Sequence, residues 1–152
     1  MAASVPYCLS VNTWLEVSPA SLLSRSEFIA ELRQLLPTER VLSEVEELRP
    51  YECDGLTAYR ELPLVVTIPD NVEEVCQVMR LCNTHRVPVV ARGAGTSLSG
   101  GARPDRNGVL LSMARFGRIL EISAENRIAR VEPGVRNLAI SELSFWYLCG
   151  ID

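Results

Sequence analysis

Pro88-Val-Val-Ala-Arg-Gly-Ala-Gly-Thr-Ser-Leu-Ser-Gly-Gly101 joins a short apolar run to one arginine and then to four glycines interleaved with hydroxyl residues. The run Val87–Ala91 predicts a buried strand, and its abrupt change into Gly93, Gly95, Gly100 and Gly101 predicts a turn where the main chain itself approaches something closely. A loop without bulky side chains offers consecutive backbone N–H groups as a concave nest for anionic oxygens. Thr96, Ser97 and Ser99 add hydroxyl donors, and Arg92 at the strand end supplies positive charge. The dinucleotide pattern G-x-G-x-x-G fails at Leu98, and the P-loop pattern fails at Gly101, where a lysine is required. A mobile surface loop is the plainer alternative. Position favours the phosphate cradle, because such cradles follow a buried strand.

Outward from the loop, the preceding residues read as a strand-helix-strand unit. Leu64–Ile68 is a strand by its β-branched content and is stopped by Pro69. Asn71 caps a helix with Glu74 at the third position, and Val75, Met79 and Cys82 make its apolar stripe. The helix ends near Thr84–Arg86 and leads into Val87–Ala91. A crossover that contains a whole helix makes the two strands parallel and the connection right-handed. Further upstream, Ser24 and Glu27 have capping-box spacing before Phe28, Ile29, Leu32, Leu35 and Leu36, and Pro37 ends that helix. A short strand follows around Val41–Leu42. Residues 1–20 show no period and read as a lead-in.

The segment from Arg49 to Tyr59 is polar and turn-rich, an ordered surface loop in which Asp54 and Tyr59 are alternative ligand contacts. Downstream of the glycines, Asn107-Gly108 turns into Val109–Met113. Ile119–Ser123 and Arg127–Glu132 then form an antiparallel pair about Ala124–Asn126. Pro133-Gly134-Val135 breaks the second of these before a helix near Asn137. Gly134 opens backbone conformations closed to other residues, so the corner is either a second approach to a ligand or a plain strand-to-helix turn.

Composition bounds the chemistry. The 152 residues are 47% hydrophobic and carry a net charge of −4, enough apolar content for one ordinary core or two small lobes and the wrong sign for a general nucleic-acid binder. Residues 1–85 hold six Arg against thirteen acids, whereas residues 86–136 hold nine Arg against four, so the chain turns positive around the glycine loop. That local field suits a phosphate-bearing ligand or a solvated mixed surface. All 15 basic residues are Arg, which excludes Schiff-base chemistry. The single histidine, His85, falls at a helix end and reads as a favourable C-terminal charge or a surface residue. Five cysteines with no C-x-x-C pair predict free thiols in a reducing compartment and no zinc framework. With no secretory leader and no run of about 20 apolar residues, the reading expects a cytoplasmic chain without a membrane span. Peripheral association with the inner membrane is the alternative.

Five segments in combination carry a resemblance: Pro50-Tyr-Glu-Cys-Asp-Gly-Leu56, Val87-Pro-Val-Val90, Arg92–Gly101, Gly108-Val-Leu-Leu111 and Glu132-Pro-Gly-Val-Arg-Asn-Leu-Ala-Ile140. The chain resembles the FAD-linked oxidases of the vanillyl-alcohol-oxidase (PCMH) type, glycolate oxidase flavin subunits and D-lactate dehydrogenases among them, over roughly residues 40–141. The resemblance implies an α+β fold: a PCMH-type FAD-binding domain with a βαβ subdomain followed by the start of a second, mixed-sheet subdomain, incomplete at the C-terminus. It implies FAD between the subdomains. Arg92, Gly93, Ala94, Gly95, Thr96, Ser97, Leu98, Ser99, Gly100 and Gly101 would bind the pyrophosphate, and Pro133, Gly134 and Val135 would line the cofactor's path. It implies oxidation of a small 2-hydroxy acid, glycolate or D-lactate, by hydride transfer to the flavin, with other glycolate oxidase subunits as partners. No catalytic residue and no metal ligand is assigned in this chain.

The expected organisation is a lead-in and helix over 1–45, a partial FAD-binding domain over 46–141, and a tail outside the family pattern over 142–152. The resemblance implies that a cap domain and a histidine-containing catalytic region would follow in a full-length relative, so the reading expects a truncated or frameshifted fragment, inactive alone. Two other functions stay open on the residues themselves. One is a non-catalytic interaction module using the apolar cluster Phe145, Trp146, Tyr147 and Leu148. The other is a nucleotide-phosphate binder of unrelated fold.

Overall fold

The computed structural model describes the backbone of residues 24–149 and the side chains of residues 24–145. The expected lead-in over 1–20 lies outside the described residues. Helix α1 (Arg25–Leu35) starts where the capping box predicts: the Ser24 hydroxyl accepts from the Glu27 amide at 3.3 Å, and Glu27 takes the Ser24 N–H at 2.8 Å. A turn over Thr38–Arg40 leads to β1 (Val41–Leu42), then to the short α2 (Val45–Leu48) and, after the loop that follows it, to β2 (Val65–Thr67). Helix α3 (Val72–His85) is capped by Asn71, whose side chain accepts from the Glu74 amide at 2.9 Å. It ends at Arg86, which takes the left-handed conformation with φ +56°.

Strands β3 (Val89–Arg92) and β4 (Val109–Ser112) complete a four-stranded sheet of order β1-β2-β4-β3. β4 runs parallel to both β2 and β3, and β1 pairs antiparallel with β2. This corrects the expectation of a buried strand at Val87–Ala91. β3 begins two residues later and forms a sheet edge, with its side chains half-buried or exposed. β4 takes the central position because Val109, Leu110, Leu111 and Ser112 are all buried, so it fills the slot covered on both faces. β2 and β3 remain parallel, as a helical crossover requires, without being neighbours.

Alternation along the strands divides the core. Val65, Val109 and Leu111 pack on Phe28, Ile29 and Leu32 of α1 and on Val78 and Cys82 of α3. Val66 and Leu110 face the other way, onto Leu48 with Leu42, Tyr51, Leu62 and Ile68 alongside. Each fully buried Val, Leu, Ile or Phe contributes about 1.5–3 kcal/mol, so the segment around α2 acts as the second cover of the sheet. It is more than a surface connection.

Beyond the sheet, β5 (Ile119–Ser123) and β6 (Ile128–Val131) pair antiparallel, as the sequence predicts. Arg127 takes a positive φ of 54° in their turn. Helix α4 (Asn137–Cys149) then runs without a break across position 141. No helix among the described residues is long and apolar enough to cross a membrane.

Candidate functional site

The glycine loop leaves the edge strand at Arg92 and is met at once by the chain that follows β4. The Met113 amide donates to the Arg92 carbonyl at 2.8 Å, and the Phe116 amide donates to the Met113 carbonyl at 3.0 Å. Gly134 is wedged against the same turn. Its N–H donates to the Phe116 carbonyl at 2.8 Å, and a side chain there would collide with the carbonyl oxygens of Met113 and Phe116. Gly93 in turn has the Pro133 carbonyl oxygen 3.4 Å from where a Cβ would stand. The two glycine corners singled out from sequence therefore touch one another across residues 113–116. Val135 lies beside them half-buried, its N–H donating to the Glu132 carbonyl at 3.1 Å.

Within the loop, Ser97 organises the second half. Its hydroxyl oxygen accepts from the amides of Ser99 at 3.3 Å and Gly101 at 3.2 Å, so it stabilises the turn and is already engaged inside the protein. Thr96 and Ser99 are exposed, as are Gly93, Ala94 and Gly101, and Leu98 stands at the tip with 76% of its surface open. Gly95 and Gly100 adopt positive φ of 72° and 74°, conformations that other residues take at a cost. Among the described residues, no protein acceptor takes the amides of Gly93 through Leu98. A run of unengaged N–H groups with a left-handed residue, Gly95, in its midst is what an oxygen-rich anion needs.

Arg92 does not project from the loop mouth. Its guanidinium turns inward, where Nη1 donates to the Cys53 carbonyl at 2.7 Å and the Tyr51 carbonyl at 3.4 Å, with Cζ 5.5 Å from the Tyr51 ring centroid. It lies directly under Gly95, which has no room for a side chain above it. Asp54 is buried beside it and is committed to the main chain: one carboxylate oxygen accepts from the Leu56 amide at 2.9 Å and the other from the Ala102 amide at 3.3 Å. Gly55 sits against the carbonyls of Thr96 and Ser97, each 2.9 Å from a built Cβ, and the Leu56 amide donates to the Ser97 carbonyl at 3.1 Å. The Tyr51–Leu56 segment thus forms the floor of the glycine loop. Sequence reasoning left Asp54 as a candidate ligand contact. The available signal was Asp54-Gly55 itself, since Asp before Gly favours a side-chain turn onto the amide two residues on. Tyr59, the other candidate, is exposed, with Arg103 5.5 Å over its ring. An open groove of about 430 Å³ runs along this flank between Tyr59, Val90, Gly100 and Arg103.

His85 and Cys82 sit in structural settings away from the loop. His85 at the end of α3 lies 3.1 Å from Glu31 of α1 and edge-on to Phe28. Burial pushes the Cys82 thiol up to about 11, which keeps it protonated and inert. No group of three or more potential metal ligands occurs among the described residues.

Comparison with known proteins gives the same answer from sequence and from fold. Over 120 residues the chain is 53% identical to the glycolate oxidase subunit GlcD of Escherichia coli (strain K12), covering 79% of this chain and 24% of the relative. It is 33% identical over 110 residues to a D-lactate dehydrogenase of Anaerostipes hadrus, covering 72% of this chain and 23% of that one. Its fold is similar to that of p-cresol methylhydroxylase with substrate bound, with a TM-score of 0.71 and 26% identity over 83% of this chain and 25% of that structure. The chain thus spans about a quarter of the length of the curated relatives it matches. Residues 63–144, which include β2 to β6, the glycine loop and the Pro133–Val135 corner, match the FAD binding domain family, and the chain belongs to that family.

Proposed function

We propose that this chain carries the diphosphate-holding part of an FAD-dependent 2-hydroxy-acid oxidoreductase of the glycolate or D-lactate type. The observation that carries the reading is the run of unengaged amides from Gly93 to Leu98, set against the Pro133–Val135 corner. The donor set fits a diphosphate bridge. Main-chain N–H groups bind anionic oxygens without the lysine of a P-loop, and the glycines let those oxygens approach the backbone closely. Gly93 to Gly101 would hold the bridge, and Pro133, Gly134 and Val135 would border the cofactor.

When bound, the flavin supplies the redox chemistry, and the protein binds and orients it. We assign no residue of this chain to proton transfer. A small 2-hydroxy acid and further enzyme subunits are the partners implied. The free thiols of Cys53, Cys76 and Cys82 support a reducing, cytoplasmic setting.

The test is titration of the purified chain with FAD, read by flavin fluorescence, with ADP and FMN as competitors. The expected outcome is saturable FAD binding that ADP displaces and FMN, which lacks the diphosphate bridge, displaces poorly. A chain folded by circular dichroism and indifferent to FAD would overturn the proposal.

A further inference from the structure

We propose that Arg92 and Asp54 are positioning residues that hold the glycine loop in its anion-binding conformation from beneath. The inference rests on the diphosphate reading above and changes what the most conspicuous charge of the site does. An arginine next to a phosphate loop ordinarily reads as a phosphate ligand. Here one end of its fork, Nη1, is held by the carbonyls of Tyr51 and Cys53, and its face lies against Gly95. The loop above it leaves from β3, a sheet edge, and gains little support from the sheet itself.

The floor segment supplies that support at three places. Arg92 ties the start of the loop to residues 51 and 53. Leu56 ties its middle at Ser97, and Asp54 ties its end at Ala102. Asp54 is the informative member, because it is a buried carboxylate on the underside of a proposed anion site. Coulomb's law alone makes such a charge unfavourable to a diphosphate, and removing it should tighten binding. Its value must lie in the two amides it fixes, which pin the floor and the far stem of the loop in one register. A carboxylate can accept at both oxygens, whereas an asparagine at this position accepts at one and presents an N–H to the other amide.

Asp54→Asn therefore separates the two roles by sign. With Asp54 as a brace, the variant binds FAD about tenfold or more weakly, a change of about 1.4 kcal/mol, despite the loss of a negative charge. Amide hydrogen exchange in the flavin-free chain accelerates over residues 93–102 and stays unchanged in β2 and β4, because local opening is read segment by segment. FAD binding equal to or tighter than wild type, with unchanged loop exchange, overturns the proposal.

Arg92→Lys is the second variant, and it decides the matter if Asp54→Asn does not fold. It keeps the charge and loses the planar fork, so a brace predicts weaker FAD binding and faster loop exchange, whereas retention of both wild-type values overturns the proposal. If wild-type protein does not bind FAD, the diphosphate reading fails. Loop exchange in the two variants still decides whether the floor braces the loop.

Discussion

In the four-stranded sheet both faces of each central strand are used. Val65, Val109 and Leu111 are covered by α1 and α3, and Val66 and Leu110 by the segment around α2. In the β5–β6 hairpin the same kinds of side chain stay in the open, with Leu120 49% and Ile128 61% exposed. A shallow groove of about 320 Å³ between the hairpin and α4, lined by Ile122, Ile128, Ala129 and Ile140, has no inner layer to fill it among the described residues. The first region closes its own core and the second does not. The glycine loop stands where they meet, rising from the edge of the closed sheet and touched by the Pro133–Gly134 corner of the open one. Its shape is therefore set by the region that has stability to spare.

The sharpest way to break this contrast is to remove equivalent apolar groups from each side. Leu110→Ala, at the centre of β4 and fully buried, is expected to cost about 2–5 kcal/mol in urea unfolding. Ile128→Ala on the hairpin is expected to stay within about 0.5 kcal/mol. Comparable costs would mean that the hairpin is as well packed as the sheet.

The junction comes next in size. Gly134→Ala would push a methyl into the carbonyls of Met113 and Phe116, and overpacking of this kind costs about 1–3 kcal/mol. Gly117→Ala, in open space with nothing within 4 Å, serves as its control and should be nearly neutral. Equal melting temperatures for the two variants would remove the contact between corners on which the site is built.

Local signals explain what could be read before the fold was known. Ser24 with Glu27 and Asn71 with Glu74 fix two helix starts within a few residues, and the hairpin turn follows from alternation on either side of Ala124–Asn126. The position of β4 was not legible. Val87–Ala91 and Val109–Met113 are both short apolar runs, and which of them is central depends on pairing partners far away in sequence. At the site, the glycines and the Pro133–Val135 corner could be found because backbone geometry restricts residue type. The turning of Arg92 could not, since a long side chain at a strand end reaches either the loop mouth or the floor, and only the packed Tyr51–Leu56 segment decides between them.

Acid titration tests the closed region from another side. Arg40 of the turn before β1 holds Glu74 of α3 through two hydrogen bonds of 2.7 and 3.0 Å. Burial pushes the Glu74 carboxyl up, but the Arg40 hydrogen bond, the Asp70 amide and the Arg40 charge together hold it below its ordinary value of 4.5. A group depressed in the folded state adds stability above its unfolded value, and that stability is lost as pH falls through the folded value. Arg40→Ala should therefore be less stable than wild type at neutral pH, and the two unfolding curves should converge on acidification below about 4.5. A constant gap across that range would show that the pair contributes by packing alone.

The smallest effect belongs to the open region. Arg130 and Glu121 face each other across β5 and β6 at 3.4 Å, both more than half exposed. Cross-strand pairs in water exchange hydration for a weak Coulomb attraction and lose side-chain freedom in doing so, which leaves about 0.2–1 kcal/mol at most. Glu121→Ala should shift the melting temperature by no more than about 2–4 °C, and salt near 1 M should erase most of the difference, because the screening length then falls to about 3 Å, the separation of the pair. The same salt should leave the cost of Leu110→Ala in place. A hairpin pair that resisted salt would have to be partly desolvated, and that in turn would require an inner layer over the groove beside Ile128 and Ile140.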